Sequence, residues 1–155
     1  MRSEEIKGIV EIKVFNEFIS ASGLLIDPAS VIKQNPPSPD ILCQSSDEGP
    51  MEFELVEICD RNIASVSSKI LKGKIDESIY IRTGDPSAMI LSKKLGCKYA
   101  TRLPVDLLCY TDGRVVTPDT IICVIARSLL SSYTGVFRRA WFLGEGGAYK
   151  IWPET

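Results

Sequence analysis

Asp106 to Tyr110 reads Asp-Leu-Leu-Cys-Tyr, a short run with no alternation of polar and apolar side chains. A strand of this kind must be covered on both faces, so the sheet that contains it needs packing layers above and below. The flanking segments fit that demand. Ile6, Ile9, Val10, Val14, Phe15 and Phe18 recur at helical steps behind Ser3, and the region of Gly23 ends that stretch. Asp40 to Cys43 and Met51 to Ile58 read as two strands joined by the turn-rich Gln44 to Gly49. Ile63, Val66, Ile70 and Leu71 predict a second helix, and the β-branched run Ser78 to Thr83 a further strand. Asp85, Pro86 and Gly96 frame a third helix, and Pro118 starts a fourth. Val136 to Gly144 and Ala148 to Trp152 flank a Gly-rich hairpin turn. The expected order is α-β-β-α-β-α-β-α-β-β, one domain over residues 1–155. Its fold class is α/β: a three-layer α/β/α arrangement around a central mixed sheet.

Composition removes several chemistries. The chain has no histidine, which excludes Ser-His-Asp and Cys-His catalysis and His-liganded zinc. Its five cysteines (Cys43, Cys59, Cys97, Cys109 and Cys123) contain no C-x-x-C pair, and those inside apolar runs read as buried reduced thiols. A formal net charge of −2 argues against a non-specific nucleic-acid coat. Lys69, Lys72, Lys74, Lys93, Lys94, Lys98, Arg102, Arg138 and Arg139 either rim a local cleft or are solvated surface charges. No apolar run approaches the length of a membrane span, and the start of the chain lacks a signal peptide's apolar core. The expectation is a cytoplasmic protein without a membrane partner. Pairing through a strand edge, or through Trp141 and Trp152, would make a homodimer.

What remains is chemistry by carboxylates, lysines, tyrosines or a hard metal. Along Met51 to Ile58, Glu52, Glu54 and Val56 share one face, and Phe53, Leu55 and Glu57 the other. Asp40 begins the neighbouring strand, so an acid there and one along its partner can meet at one sheet edge. Carboxylates that close repel unless a divalent cation sits between them, and Mg²⁺ or Mn²⁺ takes such oxygen ligands. The alternative is that the acids are the polar teeth of a half-exposed hairpin. Elsewhere, Gly144 to Gly147 lacks the features of a phosphate loop and reads as a hairpin turn. Arg138 and Arg139 beside Trp141 are either a phosphate-contacting edge or one wet face of a strand.

Pro39-Asp40, a short apolar strand, a turn with glycine and then a strand carrying a flanked Glu54 resemble the core motif of the PD-(D/E)xK nuclease-like superfamily. The element order resembles the restriction-endonuclease-like fold of that superfamily over most of the chain. The resemblance implies a nuclease hydrolysing a phosphodiester of nucleic acid, with Asp40 and Glu54 as ligands of Mg²⁺ or Mn²⁺. It also requires a lysine two residues after the glutamate, where this chain has Val56. Valine neither carries a proton nor offsets negative charge. Either the register shifts to make Glu52 the ligand and Glu54 the third residue, or a lysine from the following helix, Lys69, supplies the ammonium, or the fold persists without cleavage. Glu5, Glu11 or Glu17 on the leading helix would add a ligand, as some members of the superfamily use one there. Two functions follow: a metal-dependent nuclease using Asp40, Glu54, Glu52 and Lys69, or an inactive nuclease-like fold acting as a binding or assembly module.

Overall fold

The computed structural model describes residues 3–60 and 85–154. Its elements are α1 (Ser3–Ser22), a 3₁₀ turn (Pro28–Ser30), β1 (Ile32–Lys33), β2 (Ile41–Ser45), β3 (Gly49–Glu57), α2 (Ser87–Leu95), β4 (Val105–Tyr110), α3 (Asp119–Leu130), β5 (Phe137–Gly144) and β6 (Gly147–Trp152). The helix expected around Ile63 to Leu71 and the strand Ser78 to Thr83 lie outside the described residues.

The strands form one six-stranded sheet in the order β1-β2-β3-β4-β5-β6. β1/β2, β2/β3 and β5/β6 are antiparallel, whereas β3/β4 and β4/β5 are parallel. The mixed character has a simple origin: short turns join β2 to β3 and β5 to β6 and a seven-residue loop joins β1 to β2, while the parallel β4/β5 pair needs a crossover, here made by α3.

The layers follow the residue pattern. Val14, Phe15, Phe18 and Ile19 of α1 pack on Phe53, Leu55, Leu108, Tyr110, Trp141 and Leu143. On the opposite face Leu91 of α2 and Ile122, Cys123, Ala126 and Leu130 of α3 cover Val56, Leu107, Cys109, Ala140 and Phe142. This is a three-layer α/β architecture, and every residue of β4 is buried, the apolar ones as the strand's near-continuous apolar character requires and Asp106 with them.

The face of α1 differs from the expected stripe. Ile6 and Ile9 are exposed, and the buried set is Glu11, Val14, Phe15, Phe18 and Ile19. The early turns border a groove shared with Lys33, Asn35 and Pro36 rather than the sheet, and the buried face opens at an acid. Cys43, Cys109 and Cys123 are buried free thiols, as expected. The Gly-rich turn joins β5 to β6 as a hairpin, closing with Gly144 opposite Gly147.

A carboxylate edge between the leading helix and β3

The β2/β3 hairpin pairs Ile41 with Phe53, and Asp40 lies one step beyond the last pair, opposite Glu54. There the two strands exchange side-chain bonds in place of ladder bonds. The Asp40 amide donates to Glu54 Oε1 at 3.0 Å, and the Leu55 amide donates to Asp40 Oδ2 at 2.9 Å. The acids expected to share the edge are therefore held together by the backbone that carries them.

Each acid also meets a lysine. Lys94, in the last turn of α2, places Nζ 2.9 Å from Glu54 Oε2. Lys33 of β1 places Nζ 3.3 Å from Asp40 Oδ1 and 3.7 Å from Glu11 Oε2. Burial pushes Asp40 up, but the Leu55 amide, Glu54 and Lys33 outweigh it, and its carboxyl lies below the ordinary range. Burial and the neighbouring Asp40 charge hold Glu54 above its ordinary value despite Lys94. Lys94 rises as well: burial opposes its charge, but the ion pair and hydrogen bond with Glu54 prevail. Close by, the buried Tyr99 hydroxyl has no hydrogen-bond partner among the described residues. Burial first, and then the Glu54 charge, keep that hydroxyl protonated far above the usual phenol range.

Glu11 completes the group from the α1 side. It is 2% exposed, and neither carboxylate oxygen has a hydrogen-bond partner among the described residues. Burial, followed by the Asp40 charge, pushes its pKa to about 7. Of the three helix acids considered, Glu11 is the one on the buried face, four residues before Phe15 and seven before Phe18.

Glu52 and Glu54 are each 5% exposed, so neither is a solvent-facing tooth of a hairpin. The two are used differently. Glu52 accepts from Gln34 Nε2 at 2.6 Å and from the Thr101 hydroxyl. Gln34 Nε2 also donates to the Pro39 carbonyl at 3.0 Å, and the Gln34 amide donates to the Asp40 carbonyl at 2.7 Å. Glu52 thus anchors the loop that presents Asp40, and Glu54 is the acid bonded to the Asp40 amide. Val56 is buried in the apolar layer under α2 and α3. Lys69 lies outside the described residues.

An all-oxygen donor set with an orphaned buried carboxylate suits a hard divalent cation. Asp40 and Glu54 are the two residues that would hold it. Among the described residues no group of three or more His, Cys, Asp or Glu side chains is arranged to hold a metal ion, and protein ammonium groups sit against the acids instead.

The other candidates have different fates. Asp106 accepts from Arg138 Nε at 2.8 Å, Arg139 Nε at 2.9 Å and Trp141 Nε1 at 2.9 Å. A bulge between β4 and β5 pairs Val105 with Phe137 and Asp106 with Arg139, which makes Arg138 the extra residue and lets both arginines reach the one acid. Both arginines also reach Glu48, so they serve the fold rather than form a free phosphate edge. Sequence reasoning did not single out Lys33, Gln34 or Thr101, because nothing local marks them, and it named Lys94 only among the lysines of a cleft rim or a solvated surface, without a link to Glu54.

No helix among the described residues is long and apolar enough to cross a membrane. No family model matches this chain, and searches find no significant match among curated proteins or solved structures.

Proposed function

We propose that this chain is a restriction-endonuclease-like, Mg²⁺- or Mn²⁺-dependent nuclease of the PD-(D/E)xK type, acting in the cytoplasm on a phosphodiester of nucleic acid, with Lys94 in the role that Val56 leaves vacant. One observation carries this reading: Lys94 Nζ lies 2.9 Å from the same Glu54 carboxylate that accepts the Asp40 amide. Asp40, Glu54 and Lys94 stand together in space, which supports reading them as the motif's acid–acid–lysine grouping although the strand itself carries no lysine.

A divalent ion held by Asp40 and Glu54 would polarise a phosphoryl oxygen and lower the pKa of a water. The residues themselves supply the rest. Lys94 stays charged through its pair with Glu54. It therefore acts as a fixed cation that offsets charge developing on the phosphoryl oxygens, not as a proton acceptor. Burial keeps the Tyr99 hydroxyl protonated, and no step is assigned to it. Glu52, through Gln34, positions the Asp40 loop and is not required to touch the reacting atoms.

A second reading, a nuclease-like fold serving as a binding or assembly module, is favoured by a different observation: Lys33 and Lys94 already neutralise Asp40 and Glu54. Calorimetric titration of Mn²⁺ into the wild type, Asp40→Ala and Glu54→Ala separates the two. Binding that both substitutions abolish, with cleavage of single- or double-stranded substrates that falls about 10²–10³-fold in Lys94→Met, supports the nuclease. A wild type that binds no Mn²⁺ leaves the binding module.

A further inference from the structure

Among the described residues Glu11 is the exception among the buried acids, with two carboxylate oxygens that lack a hydrogen bond there and a lysine 3.7 Å away. Lys33 reaches it from β1 and spends its donors elsewhere, on the Gln34 carbonyl at 3.0 Å and Asp40 Oδ1 at 3.3 Å. Its stem runs along α1 at Gly8, where a Cβ would lie 3.7 Å from Lys33 Cγ and 3.8 Å from Cε. Beside it opens a groove of about 650 Å³ bounded by Lys7, Gly8, Asn35 and Pro36, with Glu11 and Asp40 on its wall. The Lys33 side chain is 28% exposed, so it has a path from the acids into that groove.

We infer that Lys33 is a removable internal cation, which screens Glu11 and Asp40 from each other in the metal-free chain and is expelled into the groove when a divalent ion binds at Asp40. This rests on the metal-dependent reading above and adds to it how the site is held before metal arrives. An ammonium is a single charge on a flexible stem, and here it gives neither Glu11 oxygen a hydrogen bond. A hard dication binds carboxylate oxygens directly and carries twice the charge, so it displaces the lysine rather than sharing the acids with it.

The test is Mn²⁺ titration by calorimetry of the wild type, Lys33→Met and Lys33→Arg. It is paired with the rate of amine acetylation at Lys33 in the wild type, read by peptide mass spectrometry with and without Mn²⁺. The expected result is binding about tenfold tighter in Lys33→Met, near-wild-type binding in Lys33→Arg, and faster acetylation of Lys33 once Mn²⁺ is bound. Wild-type Mn²⁺ binding without faster acetylation overturns the inference and leaves the nuclease reading standing, even if Lys33→Met fails to fold. Equal or weaker binding in a folded Lys33→Met does the same. Absence of Mn²⁺ binding in all three chains removes both.

Discussion

Asp106 and Glu11 are buried to almost the same extent, 0% and 2% exposed, yet their surroundings are opposite. Asp106 receives two guanidinium bonds and an indole N–H within 2.9 Å. Glu11 receives no hydrogen bond among the described residues and has its nearest cation at 3.7 Å. A saturated buried carboxylate locks its neighbours, here joining β4 to β5 through three side chains. An unsaturated one costs stability, since removal from water is not repaid. That contrast separates Asp106 from Glu11, where counting acidic residues along the chain does not.

The largest expected effect is on the saturated side. Asp106→Ala leaves two guanidinium groups and the Trp141 N–H without their shared acceptor, and is expected to cost about 3–5 kcal/mol in urea unfolding. A cost below about 1 kcal/mol would break the comparison.

Glu11→Gln is expected to act in the other direction. The folded pKa of about 7 lies above the ordinary value of 4.5, so the stability linked to the protonated form is complete below about 4.5 and is lost as pH rises through about 7. The substitution should stabilise the chain by about 2 kcal/mol at pH 8 and by little at pH 4.5, flattening the pH profile between them. Denaturant unfolding at the two pH values checks this. Asp40, whose pKa is lowered, contributes stability that is lost only as pH falls below its ordinary range, so it does not obscure that window.

Lys94→Met falls between the two regions, because Glu54 then keeps the Asp40 amide but loses its cation. With Lys94 22% exposed in its side chain, the expected cost is about 1–2 kcal/mol at pH 8, shrinking in acid as Glu54 takes up a proton. A cost that grows in acid would contradict the raised Glu54 pKa. The smallest effect belongs to Arg114→Ala. This removes the ion pair with Glu57 at the far end of β3, where the arginine side chain is 42% exposed, and should change stability by no more than about 1 kcal/mol in the same unfolding assay.

The hairpin that carries Asp40 and Glu54 was legible because its information is local. Period-two alternation puts Glu54 on the face opposite Phe53 and Leu55, and the turn before Gly49 sets the register that brings Asp40 level with it. Glu11 was legible only as one of three acids on a helix. Its spacing from Phe15 and Phe18 singles it out once those two are known to face the sheet. The exposed Ile6 and Ile9 misled for the same reason, since helical spacing names a stripe but not the length over which a partner covers it.

By itself the sequence determined the layered class, the covered central strand β4, the hairpin and a valine, not a lysine, two residues after Glu54. Each follows from residues within one or two turns or strands of one another. The tertiary structure alone decided that Lys94, forty residues from Glu54, meets it, that Lys33 stands between Glu11 and Asp40, and that one bulged residue turns Arg138 and Arg139 onto Asp106. Those meetings depend on how helices cross a sheet and where a ladder slips, which are set by packing the whole core and leave no periodic trace in the chain.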